Sequence, residues 1–330
     1  MTKKYLLIDA MNLFFRAVHV ASKGNDLETN VAYGLHVMFQ SMAAAWRNQN
    51  VNHLLIALDG RSWRKDFYAP YKADRAVKRA AATEAEQKES EAFFKAFYEM
   101  VEFLEHKTNV TILQHNKLEA DDLIAGWIQA HPDDEHVIGS SDTDYYQLLA
   151  PNVTQYNGVT QELHTLAGIF DYKGKQVIDK KTKLPKAIPD PKFILFEKCT
   201  RGDPTDNIFS AYPGVRVKGS KNKVGITEAF ADRNSKGYNY NNFMLQRWQS
   251  HDGTEHKVLD DFRRNEILID LSAQPPDIRA MIDETIKAAS VAKQVSMIGA
   301  HFLKFCGRYD LIKLSENANT YATILSSSYN

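Results

Sequence analysis

Only two cysteines occur in 330 residues, Cys199 and Cys306. They are too few and too far apart for a zinc site or for a disulfide-built secreted domain. A reducing cytoplasm is the compartment that this usage fits. Net charge is missing as well: 41 basic side chains balance 41 acidic ones. Bulk electrostatics therefore gives no pull towards nucleic acid, and any such case has to rest on where the charges fall. No stretch approaches the ~20 apolar residues of a membrane span. The start, Met1-Thr2-Lys3-Lys4 and then Tyr5-Leu6-Leu7-Ile8, imitates a signal peptide until Asp9, Asn12 and Arg16 interrupt the apolar run. Neither export nor embedding in a membrane is expected. Internal repeats are absent too.

What is present is an ordinary globular balance, 44% hydrophobic and 25% charged residues, long enough for two domains. Four short apolar strands are predicted: Tyr5 to Ile8, His53 to Leu58, Val110 to Leu113 and His136 to Ile138. Helical patterns such as Val31 to Trp46 and Phe93 to Leu104 lie between them. Strands alternating with helices predict an α/β fold whose mostly parallel central sheet is flanked by helices and collects ligands at the carboxyl ends of its strands. Three of the four strands run into acids there: Asp9, Asp59 and Asp142. Tyr68 to Ser90 turns basic and then rich in alanine and glutamate, which reads as an exposed helical or mobile segment. Asp171 to Pro191 reads as a hairpin or loop. Beyond Pro191 helices dominate, notably Val258 to Leu268 and Ile278 to Ala289, and the tail after Ser315 is expected to be loosely held.

The chemistry is signalled by carboxylates: Asp9 in LLIDAMN, Asp59 in IALDG, Glu119, Asp121 and Asp122 in LEADD, Asp142 and Asp144 in SSDTDYYQL, and Asp203 and Asp206 in GDPTDN. Two carboxylates ~4 Å apart repel by about 4 kcal/mol at an effective dielectric of 20, so a packed cluster needs cations. Hard oxygen ligands select Mg²⁺ or Mn²⁺. A pair of such ions suits in-line displacement at a phosphodiester. A lone Asp at a strand end is more often a turn or helix cap. Five acidic groups in one α/β pattern favour metal binding, with Asp122 and Asp206 open to a supporting or structural place. His115 and His136 lack partner ligands and read as structural. Phe14 and Phe15 read as core.

These motifs resemble the flap endonuclease and 5′-nuclease family, most closely its phage RNase H enzymes of T-even type. LLIDAMNLFFRA, ALDGRSWRKDFYAPYKADR, LEADDLIAGW, SSDTDYYQLL and RGDPTDNI stand in family order from Lys4 to about Phe230. The resemblance implies a PIN-like nuclease domain over residues 1–194, with a helical arch at about 68–95. A helical DNA-binding region over 195–330 follows. It implies one metal near Asp9, Asp59, Glu119 and Asp121, and a second near Asp142, Asp144 and Asp203, with Asp122 and Asp206 close by. Lys72 and Arg75 match the basic pair at the base of the arch, which holds the scissile phosphate and stabilises its developing charge. Arg64, Lys65, Lys78 and Arg79 are candidate nucleic-acid contacts beside them, and Tyr71 a candidate for stacking on a base.

The sequence departs from the family where a helix-hairpin-helix should grip duplex. PGVRVKGSKNKVGITEAF replaces the glycine–lysine signature that holds a potassium ion in most members. Arg216, Lys218, Lys221 and Lys223 in this modified motif are expected to contact duplex phosphates without sequence preference, before a helix starting near Thr227. The expected activity is that of a structure-specific 5′ to 3′ exonuclease and flap endonuclease with RNase H-type primer removal. It would use two Mg²⁺, with Mn²⁺ as a substitute, and act as a monomer on branched, nicked or flapped DNA and RNA/DNA hybrids. A single-stranded-DNA-binding protein and other replication proteins are candidate partners. Two rival readings keep part of this pattern: a PIN-type RNA endonuclease without the arch, and a non-catalytic replication scaffold.

Overall fold

The structure is a computed structural model that describes residues 3–22, 26–212, 225–250 and 252–329. In chain order the elements are β1 (Lys4–Asp9), α1 (Ala10–Ala21), α2 (Leu27–Gln49), β2 (His53–Ala57), α3 (Arg64–Phe67), α4 (Ala73–Ala80), α5 (Glu84–Lys107), β3 (Thr111–Leu113), α6 (Ala120–Ala130) and β4 (Glu135–Gly139). A 3₁₀ turn, Thr143–Leu148, leads to β5 (Val153–Asn157), β6 (Glu162–Thr165) and β7 (Gly168–Phe170). Then come α7 (Pro191–Arg201), α8 (Ile226–Ala231), α9 (Tyr238–Met244), β8 (Arg247–Gln249), β9 (Glu255–Lys257), α10 (Val258–Ile269), α11 (Pro276–Ala289), α12 (Ile298–Arg308), α13 (Ile312–Ser315) and α14 (Ala318–Ser326). The four predicted strands are β1 to β4. Among the described residues no helix is long and apolar enough to cross a membrane.

The chain forms two compact units, each discontinuous in sequence. The first comprises residues 1–62, 82–188 and 279–330, the second residues 63–81 and 189–278.

The first unit is built on a seven-stranded sheet in the order β3-β2-β1-β4-β5-β6-β7. The β3 to β5 stretch is parallel, and β6 and β7 add on antiparallel. Strand β1 is buried on both faces, which is why it reads as a continuous apolar run rather than an alternation. Its alternate residues nevertheless serve different layers. Leu6 and Ile8 join α1, α2, α5 and α12 in a core with Phe14, Phe39, Phe97 and Phe302. On the other side Tyr5 meets Trp127 of α6 edge to face at 5.3 Å. Phe15, expected in the core, is 56% exposed: one position beyond Phe14 on α1, it faces about 100° away from it.

The tail also differs from expectation. It forms α14, which buries Tyr321, Ile324 and Leu325 in the first unit's core. Its end caps the sheet: Asn109 donates through its backbone to Leu325 O and through its side chain to Ser326 O, and His53 Nδ1 lies 3.0 Å from Ser327 O. Ser, Asn and Tyr are polar enough to read as a free end, but an apolar face at helical spacing lies among them.

The second unit has its own core, formed by Phe196, Cys199, Ile208, Phe243, Val258 and Phe262 with their neighbours. Cys199 and Cys306 are both free thiols. The loop cations Arg216, Lys218, Lys221 and Lys223 lie outside the described residues. The expected helix near Thr227 is α8.

Candidate active site

In the first unit the strand order places β1 next to β4, although β2 and β3 intervene in sequence. The chain leaves β1 to one side and returns on the other, which opens a crevice at the carboxyl ends of these two strands. Asp9 ends β1 and at the same time caps α1. Its Oδ1 accepts from Asn12 N at 3.0 Å. Its Oδ2 accepts from the Tyr145 hydroxyl at 3.2 Å and the Ser140 hydroxyl at 3.4 Å. Capping uses one oxygen, and the other is held by the Tyr145 and Ser140 hydroxyls.

Asp59 follows β2. Its Oδ1 accepts from Ala120 N at 2.8 Å, at the start of α6. Two backbone bonds, Gly60 N to Leu118 O and Arg61 N to Asn116 O, both 2.7 Å, tie this turn to the segment before α6. The approach is so close that a Cβ on Gly60 would lie 2.1 Å from His115 O. Glycine is required there by contact, not by a positive φ.

Helix α6 begins with three acids. Glu119 is its N-cap, Asp122 closes a capping box by accepting from Glu119 N at 3.1 Å, and Asp122 N donates to Asp121 Oδ1 at 2.7 Å. Ser62 donates to Glu119 Oε2 at 2.6 Å. The carboxylates of Glu119, Asp121 and Asp122 each present an oxygen within 4.8 Å of the others, a spacing that fits one hard cation. Asp122 is fully buried. Asp142 caps the 3₁₀ turn, accepting from Asp144 N at 2.9 Å, and buried Gln155 fastens this segment by donating to the carbonyls of Ser140 and Asp142.

These acids share an electrostatic environment. Burial, then the charges of Asp59 and Asp142, raise the Asp9 carboxyl to about 6 against the lowering effect of its Asn12 bond. The Tyr145 phenol is pushed well above its ordinary range by burial and then by Asp9, Asp121, Asp59 and Asp142. A carboxylate group held this way is stabilised by cations. Tyr145, Ser62, Ser140 and Asn12 were not singled out as site residues from the sequence. Tyr145 was legible in principle, inside SSDTDYYQLL, but nothing in a linear motif shows that its hydroxyl reaches Asp9.

The second unit holds the remaining candidates. GDPTDNI is a loop closed on itself, with paired 2.8 Å bonds between Asp203 and Ile208. Gly202 has φ 72°, and a Cβ there would lie 2.3 Å from Ile208 O. Asp203 Oδ2 pairs with Lys198 Nζ at 2.9 Å, and its Oδ1 accepts from the amide and hydroxyl of Thr205. Burial alone would raise its pKa; Lys198 and Thr205 outweigh that and hold it low. Asp206 meets the basic pair directly. Arg75 Nη2 is 2.8 Å from Oδ1, Lys72 Nζ is 3.5 Å from Oδ2, and the Tyr71 hydroxyl donates to Oδ2 at 3.2 Å. Lys72 itself sits at φ 53°, with its amide bonded to Asp206 O at 2.9 Å.

Two candidate nucleic-acid contacts take a different position from the one expected. Arg64 is buried, donating from Nε to Leu268 O at 2.7 Å, and Tyr71 is buried in the second core. A guanidinium spent on a core carbonyl and a ring packed in a core present no surface to a strand. Lys65 is exposed on α3. Lys78 and Arg79 lie on α4.

The profile of the 5′-3′ exonuclease N-terminal resolvase-like domain matches residues 4–181, more than half of the chain. The chain belongs to the 5′-3′ exonuclease family. Among curated relatives, this chain is 27% identical over 238 residues to DNA polymerase I of Rhizobium leguminosarum; this covers 68% of the chain and 20% of the polymerase. It thus spans about a fifth of that relative's length. Solved structures with the same fold include the bacteriophage T5 flap endonuclease in a pseudo-enzyme-product complex with DNA and metal ions. That match has a TM-score of 0.59 at 18% identity, over 87% of this chain and 99% of that one. The T5 5′-exonuclease with bound zinc gives a TM-score of 0.57 at 18% identity, over the same shares of the two chains. At such identity the likeness speaks for the fold alone.

Proposed function

We propose that this chain is a structure-specific 5′-nuclease that hydrolyses phosphodiesters with divalent cations, removing 5′ flaps of DNA and RNA primers from RNA/DNA hybrids. One observation carries the reading: Glu119, Asp121 and Asp122 each present a carboxylate oxygen within 4.8 Å of the others, and Asp59 is tied to the start of the same helix through Ala120 N. Family membership supports it, as does the DNA held by the T5 flap endonuclease. Glu119, Asp121 and Asp122 would hold a cation with Asp9 and Asp59, and Asp142 and Asp144 a second. Mg²⁺ is the proposed ion, with Mn²⁺ able to replace it. Bound cations supply charge neutralisation for the phosphate and acidify water.

The chain's own groups do the rest. Tyr145 and Ser140 orient Asp9 by donating to Oδ2, while Asn12 N fixes its Oδ1, so the carboxylate is held before any ligand arrives. Lys72 and Arg75 are proposed to bind non-bridging oxygens of the scissile phosphate. Asp206 pre-positions both cations. Asp203 and Asp206 are kept as candidate metal ligands of the second unit. Residues 1–194 would serve as the nuclease part, with an arch at about 68–95, and residues 195–330 as the duplex-binding part, through Arg216, Lys218, Lys221 and Lys223. The test is cleavage of a 5′-labelled flapped duplex with and without Mg²⁺. Short 5′-terminal products that require the metal are expected. Trimming from the 3′ side, or equal cleavage in chelator, overturns the proposal.

A further inference from the structure

The segment after β7 is strongly basic in a chain without net charge. Between Asp171 and Ile188 there are six lysines and two aspartates. Both aspartates point into their own turns. Asp171 Oδ1 accepts from Lys173 N and Lys175 N, each at 2.9 Å, and Asp179 Oδ1 accepts from Lys181 N and Thr182 N. The first turn, Asp171–Lys175, closes with backbone bonds from Asp171 N to Lys175 O and from Gly174 N to Asp171 O, both 2.9 Å. It stands clear of its surroundings: Gly174, at φ 75°, would place a Cβ with no heavy atom within 4 Å. Lys173 and Lys175 are exposed, and Tyr172 is 58% exposed, with Lys173 Nζ 5.3 Å from the centre of its ring.

Topology gives this turn its meaning. β4 and β5 run parallel to β1, β6 reverses, and β7 reverses again. β7 therefore points the same way as β1 and ends at the sheet edge that carries Asp9 and Asp142. Three strand spacings separate β4 from β7, about 14 Å along that edge, a distance that an extended strand covers in a few nucleotides.

We infer that the Asp171–Lys175 turn is a contact site for single-stranded nucleic acid, with Tyr172 stacking on a base and Lys173 and Lys175 holding its phosphates. An exposed ring flanked by lysines offers what an unpaired strand presents, a π-face and a charged backbone, without reading sequence. Rigid duplex keeps its base faces covered and gains less. The inference rests on the nuclease reading for its substrate, but its test does not.

Binding is measured in chelator, which blocks turnover, to a flapped duplex and to the same duplex without the flap. Tyr172→Ala is expected to weaken flap binding by about 10-fold and Tyr172→Phe to restore it. Lys173→Ser with Lys175→Ser should make the log–log salt slope shallower by about 1.4. All variants should melt with the parent, bind blunt duplex within about two-fold of it, and turn over saturating flap in Mg²⁺ at its rate. Parental affinity and slope in the variants, or equal losses on flapped and blunt duplex, overturn the inference. A parent that binds flap yet cuts nothing in Mg²⁺ overturns the nuclease reading instead, and the binding contrast still decides the turn.

Discussion

Asp9 carries two duties that conflict in the absence of a cation. As N-cap it satisfies Asn12 N, yet burial and two neighbouring acids hold its carboxyl at about 6. In the unfolded chain that group ionises near 3.8, so its ionised form opposes folding above pH 6. The penalty reaches about 3 kcal/mol and fades as the pH falls to 3.8. Asp9→Asn in chelator should therefore raise the melting temperature at pH 7 and have little effect at pH 4. Added Mg²⁺ should stabilise the parent more than the variant. A variant less stable than the parent at pH 7 would show that the cap outweighs the repulsion. For the same reason Asp121→Asn and Asp142→Asn should abolish flap cleavage in excess Mg²⁺ while leaving binding within a few-fold. Wild-type turnover in both would remove them from the site.

At the level of elements, the hydrogen bonds that hold the β2 turn against the segment before α6 depend on a close backbone approach at Gly60. Gly60→Ala places a methyl against the carbonyl of His115, a backbone atom that cannot swing aside. The expected result is a loss of Mg²⁺ affinity and a cleavage rate lowered by at least ~10-fold. A parental metal titration would mean that the loop shifts as one piece. The C-terminal helix α14 is held by its buried apolar face. Leu325 is buried beside Ile324 and Tyr321, so Leu325→Ala should cost about 2–5 kcal/mol in denaturant unfolding. His53, which meets Ser327 O, is held down to about 4 mainly by burial, below an ordinary value of 6.5. A lowered histidine favours the fold where it is neutral, so stability falls as the pH drops from 6.5 to 4. The range overlaps that of Asp9 with the opposite sign, so the titration is cleanest in the Asp9→Asn background. His53→Gln there should flatten it.

For the whole molecule, the balance of 41 basic and 41 acidic residues makes nucleic-acid affinity a matter of local patches. The second unit keeps one such patch together, Lys72 and Arg75 on a shared carboxylate. Replacing either cation with Ala should lower single-turnover cleavage by ~10² with little change in the dissociation constant, if they act on charge that develops in the reaction. Equal losses in rate and binding would make them simple phosphate anchors. Neutralising Lys218, Lys221 and Lys223 should instead weaken duplex binding and make its salt slope shallower by about 2 to 3. An unchanged slope would move the duplex site elsewhere.

The sequence alone determined the alternation of strand and helix, the four parallel strands and the acids at their ends. Those signals are local: apolar periodicity sets the element, and the residue after a strand is fixed by chain continuity. Motif order was enough to reach the family. Only the tertiary structure decided which groups face each other. The β1–β4 adjacency brings Asp9 towards Asp142 across more than a hundred residues, and Tyr145 joins them through a hydroxyl whose reach no spacing encodes. It also moved Arg64 and Tyr71 from expected contacts into a core, and α14 from a loose end onto the sheet. Burial depends on what the rest of the chain brings alongside, and a residue's type and neighbours in sequence do not contain that information.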